Sequence, residues 1–160
     1  MKVIIDSREQ DPLQFSGLPN VTEIIREGLG FGDYGALYRS KTGTEHKSPI
    51  FFERKSLPDL FGTLTDKTRH KRLRDRCKEA EEVGAKIILA IEGTDQEVWE
   101  GVKNSQVKGA TILKILDTMW LKYDLIPMFC SSRQLMAWRM VNMWNTFRDN
   151  YETGQASSHS

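Results

Sequence analysis

The chain alternates short apolar runs with long amphipathic stretches, and the spacing of apolar positions predicts most of its elements. Val3-Ile4-Ile5 is a run of strand length that ends in Asp6-Ser7-Arg8-Glu9, the place where a sheet presents polar groups to a ligand. Residues 11–20 carry Pro12, Gly17 and Pro19 and read as a loop. Residues 21–29 read as a strand, with a short helix as the alternative, and the glycines at 28, 30, 32 and 35 favour bent β geometry. Two further strands are expected over 33–40 and 49–55, joined by the polar loop 41–47, which would bring Asp33 near Glu53. Ser56-Leu57-Pro58-Asp59 has the chemistry of a helix start: a Ser cap, an early Pro and an acid in the first turn. That short helix runs through Leu64.

A long helix is expected over 66–83, ended by Gly84, with Leu73, Cys77 and Ala80 as a narrow apolar stripe. Residues 86–92 are almost continuously apolar, as in a strand covered on both faces. After a polar connection, 107–123 is amphipathic, 126–130 is a short strand, and 132–148 is a helix with Met136, Met140, Met143 and Phe147 along one side. Trp138 and Trp144 spread its apolar surface further, which suits either core or a homodimer contact through the C-terminal helices. Residues 1–150 form one domain, and the polar stretch 151–160 is expected to be a disordered tail. Strands first and strand–helix alternation later indicate an α/β fold: a mixed central sheet with helices on its faces.

The chain of 160 residues suits a single core, and its net charge of +1 means that attraction to polyanions must come from local clusters. Cys77 and Cys130 match no metal-ligand spacing and fit a reducing, cytoplasmic setting. No stretch is long and apolar enough to span a bilayer.

The candidate chemistry sits at element ends. Side chains alternate along a strand, so Glu53 and Lys55 leave one face while Phe52 and Arg54 leave the other, which assigns Arg54 to bracing the fold. Taken alone, a Glu-x-Lys triplet is commonly just a solvated strand end. Here it keeps company with Asp6, Arg8, Glu9, Asp33 and Asp59; the plain alternative is a network of ion pairs at strand ends. A phosphodiester repels hydroxide, so its hydrolysis calls for a cation that neutralises developing charge. Asp6, Asp33 and Glu53 offer hard oxygen ligands suited to Mg²⁺ or Mn²⁺, and Lys55 is placed to position a water. Arg8 can clamp a phosphate oxygen through its planar fork, and Glu9 can hold Arg8 or a water on the cation.

A second signal is the basic run Lys67, Arg69, His70, Lys71, Arg72, Arg74, Arg76 and Lys78. At helical spacing Lys67, Lys71, Arg74 and Lys78 share a face that could follow a phosphate backbone, with Arg69 and Arg76 flanking the apolar stripe. The bland reading is a solvated helix balanced by Glu79, Glu81 and Glu82. His70 is expected at the surface without a partner.

Ile5-Asp6-Ser7-Arg8-Glu9, then Gly32-Asp33-Tyr34, then Glu53-Arg54-Lys55-Ser56-Leu57-Pro58-Asp59 resembles the nuclease domain of the XPF family of structure-specific endonucleases. That family's signature reads G-D-x(n)-E-R-K-x-x-x-D with an upstream D-x-R-E, and the likeness extends to about Asp149. The resemblance implies a restriction-endonuclease-like core of the PD-(D/E)xK type. It implies catalytic roles for Arg8, Glu9, Asp33, Glu53, Lys55 and Asp59, with Asp59 bracing the helix behind the site, and metal contacts for Asp6, Asp33 and Glu53. It further implies Mg²⁺ or Mn²⁺ as cofactor and flap, fork or junction DNA as partner. Lys67, Arg69, Lys71, Arg72 and Arg74 would bind that DNA, with Arg72 matching the family's arginine after the motif. Relatives usually carry a tandem helix-hairpin-helix module after the nuclease domain, and none is expected within these 160 residues, which leaves the preferred DNA shape open. A partner of the same fold that binds DNA without cutting it is the alternative; a ribonuclease or an exonuclease would use the same phosphate-handling residues.

Overall fold

The computed structural model describes the backbone of residues 1–158 and the side chains of residues 1–150. Seven strands form one mixed sheet: β1 (Lys2–Asp6), β2 (Glu23–Glu27), β3 (Tyr34–Arg39), β4 (Glu45–Lys47), β5 (Ile50–Ser56), β6 (Lys86–Glu92) and β7 (Ile126–Cys130). The order is β2-β1-β3-β5-β6-β7, with β4 pairing β3 to one side. β3 is antiparallel to β1 and β5, whereas β1–β2, β5–β6 and β6–β7 are parallel. The helices are α1 (Leu57–Thr65), α2 (Lys67–Glu82), α3 (Asp95–Glu100), α4 (Gly109–Tyr123) and α5 (Arg133–Ser158). The expected mixed sheet between helices is therefore present. The stretch 151–160, expected to be disordered, lies outside the described side chains.

Alternation along the strands divides the core into two layers. On one face Val3, Ile5, Phe52, Ile88 and Ala90 pack with Met136, Met140 and Trp144 of α5. On the other, Ile87, Leu89 and Ile91 meet Leu60 and Leu64 of α1, Leu73 and Cys77 of α2, and Ile112, Leu116 and Met119 of α4. Phe51 belongs with Ile4 and Leu29 in a smaller cluster on this second side. Met136, Met140 and Trp144 of α5 are thus core: Trp144 is fully buried and its indole N–H donates to Ile50 O at 2.9 Å, which satisfies the one polar atom it brings inside. Among the described side chains of α5, the large apolar residues that remain exposed are Trp138 and Leu135, at 46% and 40%.

Two elements go beyond the sequence reading. The loop over 41–47 contains β4, whose His46 lies opposite Tyr38 in β3. Residues 95–100 form α3, capped by a reciprocal Thr94–Glu97 box. The expected cap of α1 is in place, with Ser56 Oγ accepting from Asp59 N–H at 3.3 Å. Asp66 plays the same part for α2, accepting from Arg69 N–H at 2.8 Å. Both cysteines are buried and unpaired, and burial pushes their thiols up in pKa, which leaves them unreactive. Among the described residues no helix is long and apolar enough to cross a membrane.

Candidate active site

The site is assembled where β1, β3 and β5 meet. Ile5 lies opposite Tyr34, and Tyr34 opposite Phe52, so the residues just past those pairs converge at one end of the sheet. Asp33 is fixed there by its backbone: it accepts from Asp6 N–H at 2.8 Å and donates to Phe52 O at 2.7 Å. Gly32 makes the approach possible. Its φ is +65°, and a Cβ at this position would lie 2.7 Å from Phe52 O, so a side chain is excluded by both backbone conformation and space. The Asp33 carboxylate then accepts from Arg54 N–H at 2.7 Å through Oδ2, leaving Oδ1 for a ligand.

A cavity of about 240 Å³ opens beside this junction. Asp6, Arg8, Asp33, Glu53 and Lys55 line its sheet side, while Arg69, Arg72 and Arg76 of α2 line the side opposite. Thr63 also borders it, its buried hydroxyl lacking a hydrogen-bond partner. Lys55 Nζ stands 3.8 Å from Glu53 Oε1 on the face they share. Anionic groups on the sheet thus face guanidinium groups on the helix.

Burial raises the Glu53 carboxyl to about 7, with the Asp33 charge adding to it and Lys55 opposing. Asp33 is raised as well, first by burial and then by Glu9, against the hydrogen bond from Arg54 N–H. Asp6 differs. Burial works against its charge, but the amide of Leu29 and the amide and guanidinium of Arg8 outweigh it and hold the carboxyl low. Both Asp6 oxygens are therefore engaged, Oδ1 by Leu29 N–H at 2.8 Å and Oδ2 by Arg8 Nε at 3.0 Å.

Among the described residues no three His, Cys, Asp or Glu side chains form a ready-made metal cage. All three expected ligands border the cavity; Asp6 also pins the loop carrying Leu29 and engages both its oxygens, whereas Asp33 engages Oδ2 with the Arg54 amide. Two neighbouring carboxylates, both raised in pKa by burial and Glu53 further by the Asp33 charge, fit a hard divalent cation that completes its shell with water and phosphate oxygens.

Glu9 is on the other side of the sheet. Instead of holding Arg8, it receives Nε and Nη2 of Arg54 at 2.9 and 2.7 Å, with its own side chain 7% exposed. Arg54 Nη1 donates to Glu92 at 2.8 Å, and Arg133 reaches the same Glu92 oxygen at 2.6 Å. Arg54 thus braces the fold as its place in the strand alternation implies. Asp59 is exposed in the first turn of α1 and does not border the cavity.

The basic helix presents a different face from the one charge alone suggested. Leu73 and Cys77 turn inward, which aims Arg69, Arg72 and Arg76 at the cavity. Arg76, absent from the expected DNA contacts, is anchored by donating to Gly30 O at 2.7 Å. Its signal was the i, i+3, i+7 spacing beside the apolar stripe. Lys67 is exposed, Lys71 pairs with Asp75 at 2.9 Å, and Arg74 lies on the far side of α2 with His70.

A mixed sheet that gathers two acids and a lysine at the ends of its central strands, under an arginine-lined helix, defines a nuclease fold of the XPF type. The ERCC4 domain family matches residues 5–142, and the chain belongs to that family. Its fold is similar to that of XPF from Aeropyrum pernix, with a TM-score of 0.58 and 19% identity, covering 94% of this chain and 68% of that one. No curated protein matches the chain.

Proposed function

We propose that this protein is a divalent-metal-dependent DNA endonuclease that hydrolyses phosphodiester bonds at flaps, forks or junctions. The observation that carries the reading is the cavity itself: Asp33, Glu53 and Lys55 on one wall and Arg69, Arg72 and Arg76 on the other. Asp33 and Glu53 would hold Mg²⁺ or Mn²⁺, which when bound supplies Lewis acidity at the phosphodiester. The three arginines bind the flanking phosphates and neutralise their charge. Lys55 donates to the attacking water or to a non-bridging oxygen and fixes the line of attack. Arg8, largely exposed at the rim, adds a further donor to the phosphate. Branched substrates are favoured by family membership, because arginine–phosphate contacts read backbone shape and not base sequence.

The test is cleavage of end-labelled linear, flap, splayed-arm and four-way-junction DNA with Mg²⁺ or Mn²⁺. Wild type should cut at least one branched substrate, and Asp33→Asn and Lys55→Ala should lose cleavage while retaining binding. If wild type binds these DNAs and cuts none of them, the chain is a non-catalytic DNA-binding member of its family.

A further inference from the structure

A second basic cavity, of about 280 Å³, lies between α2 and α4 on the opposite side of α2 from the acidic site. His70 and Arg74 of α2 line it together with Lys114, Lys122 and Tyr123 of α4, and no acid does. Two of these lining residues carry orphan polar atoms: His70 Nε2 and Arg74 Nε are buried without a hydrogen-bond partner. Buried polar atoms are rarely left unpaired in a folded chain, so two on residues that line one cation-bearing cavity mark a place for an anionic ligand with oxygen acceptors. The floor is apolar, with Ile115 and Met119, and the Tyr123 ring is covered by Lys78 Nζ at 5.6 Å from its centroid. Base stacking on that ring is therefore hindered, while phosphate binding is not.

We infer that the α2–α4 cavity is a second phosphate-binding site for the same nucleic-acid strand that enters the acidic cavity. The inference rests on the nucleic-acid reading above and adds to it the path of the strand. The argument is continuity: one helix supplies arginines to both cavities, Arg69, Arg72 and Arg76 to the first and Arg74 to the second. A strand crossing α2 travels about the diameter of a helix, roughly 10–12 Å, which is about three stacked nucleotides at roughly 3.4 Å each. Lys114 and Lys122 are exposed at the rim, where they would take phosphates before and after the one seated on Arg74 and His70. A strand held at both cavities is bent over α2, and a duplex end or branch would have to lie on one side of that helix.

The experiment compares wild type with Lys114→Ala/Lys122→Ala, two exposed positions whose truncation leaves the core intact. Binding of a short fluorescein-labelled single strand is followed by anisotropy in EDTA from about 50 to about 200 mM salt, the range over which counterion release is steep. The double variant should bind about tenfold more weakly at the lower salt, and its log–log salt slope should be shallower by about 1.4, or about 0.7 for each lost contact. Lys41→Ala/Lys103→Ala, an equal charge loss at exposed lysines lining neither cavity, should change the slope little. Equal losses in both double variants would reduce the effect to overall charge and overturn the site. Inorganic phosphate separates the two sources of anion. If it shifts the His70 ring resonances at millimolar concentration while Lys114→Ala/Lys122→Ala leaves DNA affinity unchanged, the cavity holds a free anion and the strand path is wrong. Wild type that binds no DNA overturns this inference and the nuclease reading together, whereas wild type that binds DNA indifferently to the two lysines overturns this one alone.

Discussion

Replacing Glu53 by glutamine should make the protein more stable at alkaline pH and leave it unchanged at acid pH. The folded-state value of about 7 lies above the ordinary 4.5, so the native state binds this proton more tightly than the unfolded chain does. That advantage is fully present below about 4.5 and is lost as pH rises through about 7. The interval corresponds to about 3 kcal/mol at roughly 1.4 kcal/mol per tenfold change in proton affinity. The Glu53 side chain is 27% exposed, so solvent screening reduces the figure to about 2 kcal/mol. Asp6 and Glu9 have lowered values and carry the opposite sign, with stability present at neutral pH and lost on acidification. They occur in both proteins, and the difference between Glu53→Gln and wild type cancels them.

Urea denaturation from pH 4 to pH 8 measures that difference directly. Glu53→Gln should match wild type near pH 4 and exceed it by about 2 kcal/mol at pH 8, or about 4–8 °C in Tm for a chain of this length. Mg²⁺ supplies a second reading. If Asp33 and Glu53 hold the proposed cation, it should stabilise wild type by mass action, by about 2.7 kcal/mol at a hundred times its Kd, and Glu53→Gln much less. A stability difference that stays flat from pH 4 to pH 8 would falsify the electrostatic account of Glu53. An equal Mg²⁺ effect on both proteins would remove it from the proposed ligands.

Gly32→Ala should cost about 1–3 kcal/mol and most of the cleavage activity, because a Cβ 2.7 Å from Phe52 O at φ +65° pushes Asp33 off β5; a thermal melt and a cleavage assay equal to wild type would show that the turn has room. Arg54→Ala strands Glu9 in a buried position and should cost about 3–5 kcal/mol, with Arg54→Ala/Glu9→Gln recovering a large part; a urea midpoint for the single variant close to wild type would show that the pair is not needed. For the homodimer expected through the C-terminal helices, the exposed apolar handles among the described side chains of α5 are Leu135 and Trp138, one turn apart. Sedimentation at micromolar concentration should show a dimer that Leu135→Ser/Trp138→Ser dissociates, and a monomeric wild type discards the contact.

The elements legible in the sequence were those whose signal is local. Ser56 and Pro58 announce α1, the unbroken run over 86–92 announces a doubly covered strand, and period-two alternation puts Glu53 and Lys55 on the face away from Arg54. What stayed hidden depends on distant partners. Glu9 has no sequence neighbour to explain it, because its partner Arg54 is 45 residues away and reaches it only once β1, β3 and β5 are in register. The orientation of α2 was obscured for a related reason. Counting charges selects the face bearing Lys67, Lys71 and Arg74, whereas the helix is oriented by what Leu73 and Cys77 bury, and that sends Arg69, Arg72 and Arg76 to the site.

Arg54 joins the two halves of this account. Its side chain is tied on the α5 side of the sheet by Glu9 and Glu92, and Arg133 holds Glu92 in turn. Its backbone N–H, on the same strand segment, donates to Asp33 at 2.7 Å. A guanidinium anchored on one side of β5 therefore holds still the amide that aims a carboxylate into the cavity. The flanking residues Glu53 and Lys55 gain from the same anchor, since the segment cannot twist without breaking ion pairs that are largely shielded from water. The Glu-Arg-Lys triplet is in this sense a single device. Its outer residues face the cavity, and its central residue, turned to the opposite side of the sheet, supplies the rigidity that the proposed catalysis would need to keep Asp33 and Glu53 in working geometry.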